Sequence, residues 1–296
     1  MSKKLNFNGR VVLITGAGRG LGRAYAEWFA AHGASVVVNN RRHAGVASAA
    51  EDVAAAIRAK GGIAIADENS VETPEGNAAM VAAALDAFGR IDVLISNAAI
   101  SPTVRMPIQD MPLEECHRMM NINFWGAFYA IRAALPSMLA ANYGRIVMTT
   151  SAAGLFGQSD LSIYAASKVA LVGLMRSLHC ETFSTNVKIN IISPYARTQM
   201  SANAISTELA DIMAPERIAP VVGYLSSEEC DRGGVILTAG AGRVRKSMIA
   251  EGSVVELDGE DMAGIWPELD DMSAITVPRR VYDSTRTMVP ELVQAK

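Results

Sequence analysis

Along its first four fifths, this chain alternates short runs of aliphatic, mostly β-branched residues with longer helical segments. We predict seven strands, at residues 11–14, 35–38, 63–66, 91–95, 145–150, 187–192 and 234–238. Helical patterns fill most of the intervals, at residues 21–31, 46–59, 74–88, 113–141 and 162–183. The strands are almost continuously apolar, which is typical of a parallel sheet covered by helices on both faces. Repeated βα units predict a doubly wound α/β fold with right-handed crossovers.

Composition excludes several classes of protein. Half of the residues are hydrophobic, so the chain is not intrinsically disordered, and a net charge of -3 carries no basic surplus for nucleic acid. No apolar run approaches the roughly 20 residues of a membrane span, and residues 1–8 lack the apolar core of a signal peptide. Three widely spaced cysteines and 4 histidines without paired spacing predict neither a disulfide framework nor a metal site. We expect a cytoplasmic protein without nucleic-acid or membrane partners.

A glycine-rich turn, TGAGRGLG at residues 15–22, joins the first strand to the first helix. Glycines there let the backbone approach a pyrophosphate, which free N–H groups at the helix N-terminus stabilise. Tight turns need glycine for other reasons, so the strand–turn–helix context carries the inference. We expect cofactor contacts from Gly16, Gly18, Arg19, Gly20, Leu21 and Gly22.

The end of the second strand bears on cofactor choice. Chains that prefer NAD usually place an acid there to bind the ribose 2′-OH. No acid occurs between Glu27 and Glu51, and the strand runs instead into Asn40 and Arg41, with Arg42 next. An arginine suits a 2′-phosphate, so we favour NADP(H) over NAD(H). The alternative is that the arginines are solvated and Asn40 bonds a bare 2′-OH.

Two further segments fit the adenosine half of a dinucleotide. Asp67 follows the third strand and could accept a hydrogen bond from the adenine amino group. Asn97 and Ala98 follow the fourth strand and would place small residues beside the adenosine. A plain loop role is the alternative for each of them.

Four polar residues form the predicted catalytic group. Tyr164 and Lys168 are four positions apart at the start of a predicted helix and therefore share a face. Ser151 lies at the end of the fifth strand, and Asn123 lies within the long helix before it. Taken singly, Ser151 could be a helix cap, Asn123 a buried structural amide and Lys168 a solvated charge.

The chain resembles the short-chain dehydrogenase/reductase family in a set of motifs that occur in this order: the glycine loop, Asn97, Asn123, Ser151 and the Tyr164–Lys168 pair. Within this family, segments such as residues 87–93 and 143–149 are similar to those of (3R)-hydroxyacyl-CoA dehydrogenases. The resemblance implies a Rossmann-type sheet with strand order 3-2-1-4-5-6-7. It also implies a catalytic domain over residues 1–242 and a C-terminal extension over 243–296 that packs on the domain or a partner subunit.

The resemblance also implies roles for these residues. Tyr164 would exchange a proton with the substrate oxygen, Ser151 would hydrogen-bond that oxygen, and Lys168 would hold the nicotinamide ribose. Asn123 would join the proton relay through a water molecule. An isolated tyrosine has a pKa of about 10, and we expect the Lys168 cation and the nicotinamide to lower it. Relatives associate through the helices at residues 126–139 and 161–178, which implies a homodimer or homotetramer.

This sequence departs from the family pattern at several places. Ala99 replaces the glycine of the usual NAG, and Asn40 stands where the related enzymes carry an acid. After the sixth strand the usual Pro-Gly is Pro194-Tyr195. We still expect Pro194 and Thr198 to contact the cofactor near its carboxamide or pyrophosphate.

The substrate is less constrained than the reaction. Residues 152–161, Tyr195 and residues 200–213 should line an apolar pocket, which suits a small hydroxy or keto compound. The resemblance implies a 3-hydroxyacyl-CoA, whose phosphates Arg243, Arg245 and Lys246 could meet unless they are solvated tail charges. A hydroxysteroid or other alicyclic or aromatic ketone is an alternative substrate. A non-catalytic dinucleotide-binding protein is the alternative from a different class.

Overall fold

The computed structural model describes residues 5–42, 44–201, 206–257, 259 and 262–288. The chain divides into two compact units, residues 1–246 and 247–296. The segment over residues 200–213, which is predicted to line the pocket, falls partly outside the described residues, because residues 202–205 are not among them.

A parallel sheet organises the first unit. Its strands are Val11–Ile14 (β1), Ser35–Asn39 (β2), Ile63–Asp67 (β3), Val93–Ser96 (β4), Gly144–Thr149 (β5), Val187–Tyr195 (β6), Ile236–Gly240 (β7) and Arg243–Ser247 (β8). Their order is β3-β2-β1-β4-β5-β6-β7-β8, and the pairs from β3 to β7 are parallel. The predicted Rossmann-type order is confirmed, with one strand more than the seven predicted.

The additional strand β8 lies in the segment predicted as the start of the C-terminal extension. Ala241 and Gly242, both with positive φ (50° and 73°), form a two-residue connection between β7 and β8. Such turns match the twist of antiparallel strands, so β8 runs back along β7 and forms an edge of the sheet. The sequence pattern missed β8 because it carries three cations and a single aliphatic residue.

Helices cover both faces of the sheet. They are Gly20–Ala31 (α1), Ala49–Ala59 (α2), Pro74–Phe88 (α3), Leu113–Met120 (α4), Gly126–Ala140 (α5), Ala152–Phe156 (α6), Ser162–Glu181 (α7) and Ala219–Ser226 (α8). The second unit has two helices of its own among the described residues, Met262–Leu269 (α9) and Val281–Met288 (α10). Short 3₁₀ turns at Ile108–Asp110, Thr207–Leu209 and Pro215–Arg217 complete the regular structure.

Alternate strand residues face opposite layers of the core. Val12 and Ile14 of β1 belong to the apolar cluster under α1, α2 and α8, whereas Val11 and Leu13 belong to the cluster under α3, α5 and α7. All four are at most 3% exposed. Full burial of such a side chain contributes roughly 1.5–3 kcal/mol, so both faces stabilise the sheet.

The helices begin and end where local chemistry permits. Ser48 caps α2 by accepting from the Glu51 N–H, and Thr73 caps α3 by accepting from the Gly76 N–H at 3.1 Å. Gly89 ends α3 in the left-handed conformation. A single helix was predicted over residues 113–141, but a π turn at Asn121–Trp125 separates α4 from α5. Turns of this kind occur often at functional sites.

The second unit differs from the first in burial. None of its described residues is buried, and Trp266 is 57% exposed. Across the described parts of the chain, no helix combines the length and apolar character that crossing a membrane requires.

Candidate active site

The glycine loop between β1 and α1 is packed so tightly that side chains would not fit. A Cβ on Gly16 would lie 2.8 Å from the Cα of Ala98, and one on Gly22 would lie 2.3 Å from the Gly16 carbonyl oxygen. Gly16 and Gly20 have φ values of +65° and +54°, which side chains rarely allow. The loop therefore brings the N-terminus of α1 close to the end of β4.

That N-terminus is open to an anion. Arg19 is the N-cap residue of α1 and is extended, no side chain caps the helix, and its first turn carries no acid. The first N–H groups of a helix have no internal partner and its dipole favours negative charge, so this end suits a pyrophosphate. Arg19 is itself exposed at the same place.

A buried threonine, which the sequence analysis did not single out, joins β1 to β4. Thr15 Oγ1 accepts hydrogen bonds from the N–H groups of Asn97 and Ala98, both at 3.0 Å. Asn97 Nδ2 donates in return to the Thr15 carbonyl oxygen at 3.1 Å. The sheet order reverses between β1 and β4, where ligands of such folds bind. The signal for Thr15 was its hydroxyl at the end of an apolar strand.

Both arginines after β2 lie close to acidic residues. Arg41 forms an ion pair with Glu72, and Arg42 Nη1 lies 3.4 Å from a carboxylate oxygen of Glu68. Asn40 lies against the glycine loop, because a Cβ on Gly18 would lie 2.9 Å from its Oδ1. The stretch that contains no acid in the sequence thus receives two acids from the segment after β3.

Asp67, at the end of β3, is buried and hydrogen-bonded. Asn39 Nδ2 donates to its Oδ1 at 2.6 Å, and Asn69 donates to it through both its N–H and its Nδ2, at 3.2 and 2.7 Å. Asn39 was not among the predicted site residues, although it is a polar residue in an otherwise apolar strand. Because three donors already hold the carboxylate, any contact of Asp67 with an adenine would add to a structural role.

Tyr164 and Ser151 meet at the carboxyl edge of the sheet. Their side chains are hydrogen-bonded to each other. Ser151 also caps α6 by accepting from the Ala153 N–H at 3.2 Å, so the capping alternative and the site assignment both describe it. Burial raises the pKa of Tyr164, and the hydrogen bond from Ser151 opposes the shift. In the protein without a ligand, burial outweighs any lowering of this pKa, and the lowering expected from Lys168 together with the nicotinamide stays a prediction for the complex.

Lys168 lies one helical turn beyond Tyr164 and is 2% exposed. Its Nζ donates to the Thr149 carbonyl oxygen at 3.0 Å, and burial lowers its pKa to about 8. The alternative of a solvated helix charge is excluded. A lysine that is costly to keep charged is unusual in a purely structural position and favours a functional one.

Asn123 lies in the π turn, where its amide is fully engaged. Its Oδ1 accepts from the Ile100 N–H at 2.8 Å, and its Nδ2 donates to the Ile100 carbonyl oxygen at 2.9 Å and to Ser167 Oγ at 3.0 Å. Ser167 Oγ in turn donates to the Tyr164 carbonyl oxygen at 2.7 Å. The side chain of Asn123 thus positions the start of α7, which sequence reasoning had not connected to it.

The end of β6 and the segment after it reach the same edge. Pro194 pairs with Ala239 of β7, and Tyr195 is 39% exposed opposite Gly240. A Cβ on Gly20 would lie 3.5 Å from the side chain of Thr198, so this segment contacts the glycine loop. All predicted cofactor contacts therefore lie along one edge.

Two buried hydroxyls at this edge have no hydrogen-bond partner among the residues that the structure describes. They are Thr149 Oγ1 and Ser193 Oγ, at the ends of β5 and β6. Unpaired buried hydroxyls are costly and indicate a bound group or a water molecule. Together with the glycine cradle and the free N-terminus of α1, they fit a dinucleotide lying across the strand ends.

Comparison with protein families gives one match, to the model described as short chain dehydrogenase, over residues 10–209. A short-chain type dehydrogenase/reductase of Mycobacterium tuberculosis is 37% identical over 277 residues, which cover 90% of this chain and 96% of that one. Peroxisomal multifunctional enzyme type 2 of Mus musculus is 38% identical over 99% of this chain. The chain spans 41% of the length of the mouse enzyme.

Solved structures of similar fold agree with these relatives. Full-length peroxisomal multifunctional enzyme type 2 of Drosophila melanogaster superposes with a TM-score of 0.82 at 31% identity, covering 99% of this chain and 51% of that one. A 7α-hydroxysteroid dehydrogenase in complex with NADH and 7-oxo-glycochenodeoxycholic acid gives a TM-score of 0.73 at 29% identity, over 82% and 98% of the two chains.

Proposed function

Because the chain belongs to the short-chain dehydrogenase family, an oxidoreductase family that acts on CH–OH groups with a nicotinamide dinucleotide, we propose that it interconverts a secondary alcohol and a ketone at the Tyr164 edge. The observation that carries this assignment is that Tyr164 interacts with Ser151 on the same helix face as the buried Lys168, whose Nζ donates to the Thr149 carbonyl oxygen two residues before Ser151. A binding module would gain nothing from bringing three such groups together.

Each residue has a part in the proton transfer. The Tyr164 hydroxyl gives its proton to the ketone oxygen as that oxygen gains negative charge, and takes it back when an alcohol is oxidised. The Ser151 hydroxyl donates a second hydrogen bond to the same oxygen. The bound dinucleotide supplies or accepts the hydride. Asn123 acts by holding α7 through Ser167, which keeps Tyr164 in place.

Lys168 acts on both the cofactor and the proton donor Tyr164. One of its donors is used by the Thr149 carbonyl oxygen, which leaves others for the hydroxyls of a ribose. When charged, its ammonium would also favour the tyrosinate form of Tyr164 once a ligand brings the groups together. Because burial lowers its pKa to about 8, its charge changes in the mildly alkaline range.

We infer a preference for NADP(H) over NAD(H). Support comes from Asn40, which replaces the acid expected at the end of β2, and from the cations that surround it. Arg19 is exposed with no ion pair among the described residues, and Arg41 lies next to Asn40. A 2′-phosphate carries the charge that these guanidinium groups bind best.

The substrate is inferred from the rim of the site. Large apolar side chains are exposed along the segments that follow β4, β5 and β6, namely Val104, Ile108, Leu113, Phe156, Met200, Leu209 and Ile212. An exposed apolar rim favours an apolar hydroxy or keto compound. We propose a 3-hydroxyacyl-CoA-type substrate, whose phosphates would meet Arg243, Arg245 and Lys246 on the exposed edge strand.

A hydroxysteroid or other cyclic ketone is the second candidate. The similarity to the 7α-hydroxysteroid dehydrogenase favours it, because that protein holds a steroid conjugate. A cyclic substrate would use the apolar rim and would leave the β8 cations unused. Charge reversal at Arg243 and Arg245 therefore separates the two candidates.

The deciding experiment is a turnover screen of 3-hydroxyacyl-CoA, hydroxysteroid and simple cyclic substrates, with NADPH and NADH in parallel. We expect turnover with at least one class, and a loss with acyl-CoA but not with neutral ketones in the Arg243→Glu, Arg245→Glu variant. Arg232→Glu, at the opposite end of β7, is the matched control. NADPH binding without turnover on any carbonyl compound would favour a non-catalytic dinucleotide-binding protein.

We further infer a homodimer or homotetramer formed through α5 and α7. In support, Trp125, Leu139 and Val169 are at least 40% exposed on or beside these helices, and Phe183 follows α7 at 62%. Light scattering coupled to size exclusion gives the mass. A Trp125→Glu variant that leaves the mass unchanged would contradict this interface.

A cytoplasmic location is also proposed, on the three free thiols of Cys116, Cys180 and Cys230. Relatives named as peroxisomal make the peroxisome the competing compartment. Imaging of a fluorescently tagged chain distinguishes the two.

A further inference from the structure

We propose that Glu72 sets the degree of cofactor discrimination, because it holds Arg41 in an ion pair that a 2′-phosphate would have to displace. This inference rests on the proposed dinucleotide site. It assigns a specificity role to a carboxylate on the segment between β3 and α3, away from the usual position at the end of β2.

The position of Glu72 is fixed by its own segment. Its N–H donates to Ser70 Oγ at 3.2 Å, and the neighbouring Val71 carbonyl oxygen accepts from Asn77 Nδ2 at 2.9 Å. Asn77 is buried in the first turns of α3. The carboxylate is therefore presented toward the end of β2 by a short, hydrogen-bonded loop.

Arg41 is equally constrained. It follows β2 directly, and the Asn40 N–H donates to the Asp67 carbonyl oxygen at 3.0 Å, which ties this end of β2 to β3. The side chains of Arg41 and Glu72 are 36% and 27% exposed, so the pair is partly shielded from solvent. Partial burial strengthens an ion pair and makes its loss on phosphate binding more costly.

The carboxylate acts in two ways. It neutralises the guanidinium that a 2′-phosphate would use, and it repels the phosphate itself. Toward a bare ribose, the same carboxylate is an acceptor for hydroxyl groups, as the acid at the end of β2 is in NAD-preferring chains. Glu72 therefore weakens the preference for NADP(H) that Asn40 and the cations create.

A second pair provides an internal comparison. Arg42 and Glu68 are 3.4 Å apart, and their side chains are 61% and 35% exposed. A more exposed and longer ion pair is more strongly screened and contributes less. Glu68 should therefore have a smaller effect than Glu72 on the same measurement.

The test is a titration of the full chain with NADPH and with NADH, in which dissociation constants are read from nucleotide fluorescence and calorimetry. For Glu72→Gln, the ratio of the two constants should shift toward NADPH by about tenfold, the size of one charge-assisted hydrogen bond. Glu68→Gln should shift it by less. Glu51→Gln, which loses a comparable pair with Arg58 on α2, should not shift it.

The possible outcomes distinguish a failure of the proposed role of Glu72 from a failure of the proposed function. If both nucleotides bind and the ratio is unchanged in Glu72→Gln, the role of Glu72 is overturned. If neither binds to the wild-type chain, the proposed function fails instead. In the Arg41→Gln background, Glu72→Gln should lose most of its effect, and a full effect there would also overturn the proposal. Glu72→Ala is a second variant, because its side chain cannot form a new hydrogen bond as a glutamine can. Thermal melting checks that this variant is folded.

Discussion

Charged and polar residues are buried at both edges of the sheet, but their roles at the two edges differ. At the amino edge, the buried Asp92 accepts from the Val11 N–H at 2.9 Å and pairs with Arg10 and Arg90 at 2.8 and 2.6 Å. At the carboxyl edge, Lys168 has a single carbonyl partner and no carboxylate among the described residues.

The amino edge also satisfies its other cations. Arg145 is 2% exposed and donates to the carbonyl oxygens of Ser227, Gly144 and Asn186, and its guanidinium lies 4.6 Å from the ring centre of Tyr143. Arg10 lies 3.8 Å from the same ring. A cleft of about 500 Å³ opens beside these groups, but they pair with one another, so its size does not make it the reactive site.

The difference indicates what each edge is for. The charged groups named at the amino edge are paired, so they stabilise the fold. At the carboxyl edge, Thr149 Oγ1 and Ser193 Oγ lack partners and the pKa values of Tyr164 and Lys168 are shifted by burial. Stability is lost there so that a ligand can complete the site. Substitutions at the two edges should therefore act on different measurements.

The largest effect is expected at the carboxyl edge, for Tyr164→Phe. Loss of the hydroxyl should lower turnover about 10²–10⁴-fold, because the proton donor is removed. The dissociation constant of the nucleotide and the free energy of unfolding should change little. Steady-state kinetics and nucleotide titration measure the two. Turnover near the wild-type rate would show that another group transfers the proton.

Asp92→Ala should give the opposite pattern at the amino edge. It removes the acceptor of Arg90 and of the Val11 N–H, leaves Arg10 only its pair with Glu228, and should lower the free energy of unfolding by about 3 kcal/mol. Urea denaturation measures this. The kcat of the folded fraction should stay close to the wild-type value, and a variant with wild-type stability and low kcat would remove the distinction between the edges.

A third effect concerns pH and Lys168. Its pKa is about 8 in the folded protein and returns to its ordinary value near 10.5 on unfolding. Between these values the unfolded chain binds more protons, so stability relative to Lys168→Met should rise with pH from about 8 to 10.5. The total change is about 3 kcal/mol. Lys60→Met, at an exposed lysine, controls for removal of a surface charge.

That comparison has a clear contrary outcome. If the difference in unfolding free energy between wild type and Lys168→Met does not change over this pH range, the ammonium is not destabilised by burial. Chemical denaturation at five or six pH values is sufficient. Activity should be lost in Lys168→Met at every pH.

The smallest effect is expected for Ser167→Ala, which removes the link between Asn123 and the Tyr164 carbonyl oxygen. We expect a loss of about 1 kcal/mol in stability and about tenfold in kcat, with little change in KM. Ser184→Ala, beyond the C-terminal end of α7, is the matched control. An unchanged kcat would mean that Asn123 does not position Tyr164 through this hydroxyl.

The parts of the site that lie close together in the sequence could be predicted from it. The strand order follows from the family resemblance, and the glycine loop and the Tyr164–Lys168 spacing are local patterns with fixed geometry. The partners of Arg41 could not be predicted, because Glu72 lies 31 residues away and reaches it through the pairing of β2 with β3. The π turn around Asn123 has no periodicity of its own within a helical pattern.

The eighth strand has a consequence for self-association. A sheet that ends in an open strand offers a row of unpaired N–H and C=O groups to any neighbouring chain, and such rows are starting points for aggregation. Here that row carries Arg243, Arg245 and Lys246, all exposed. Two copies that approach edge to edge would bring six positive charges together. The positive charges on β8 therefore disfavour the addition of a strand from a second copy at this edge of the sheet.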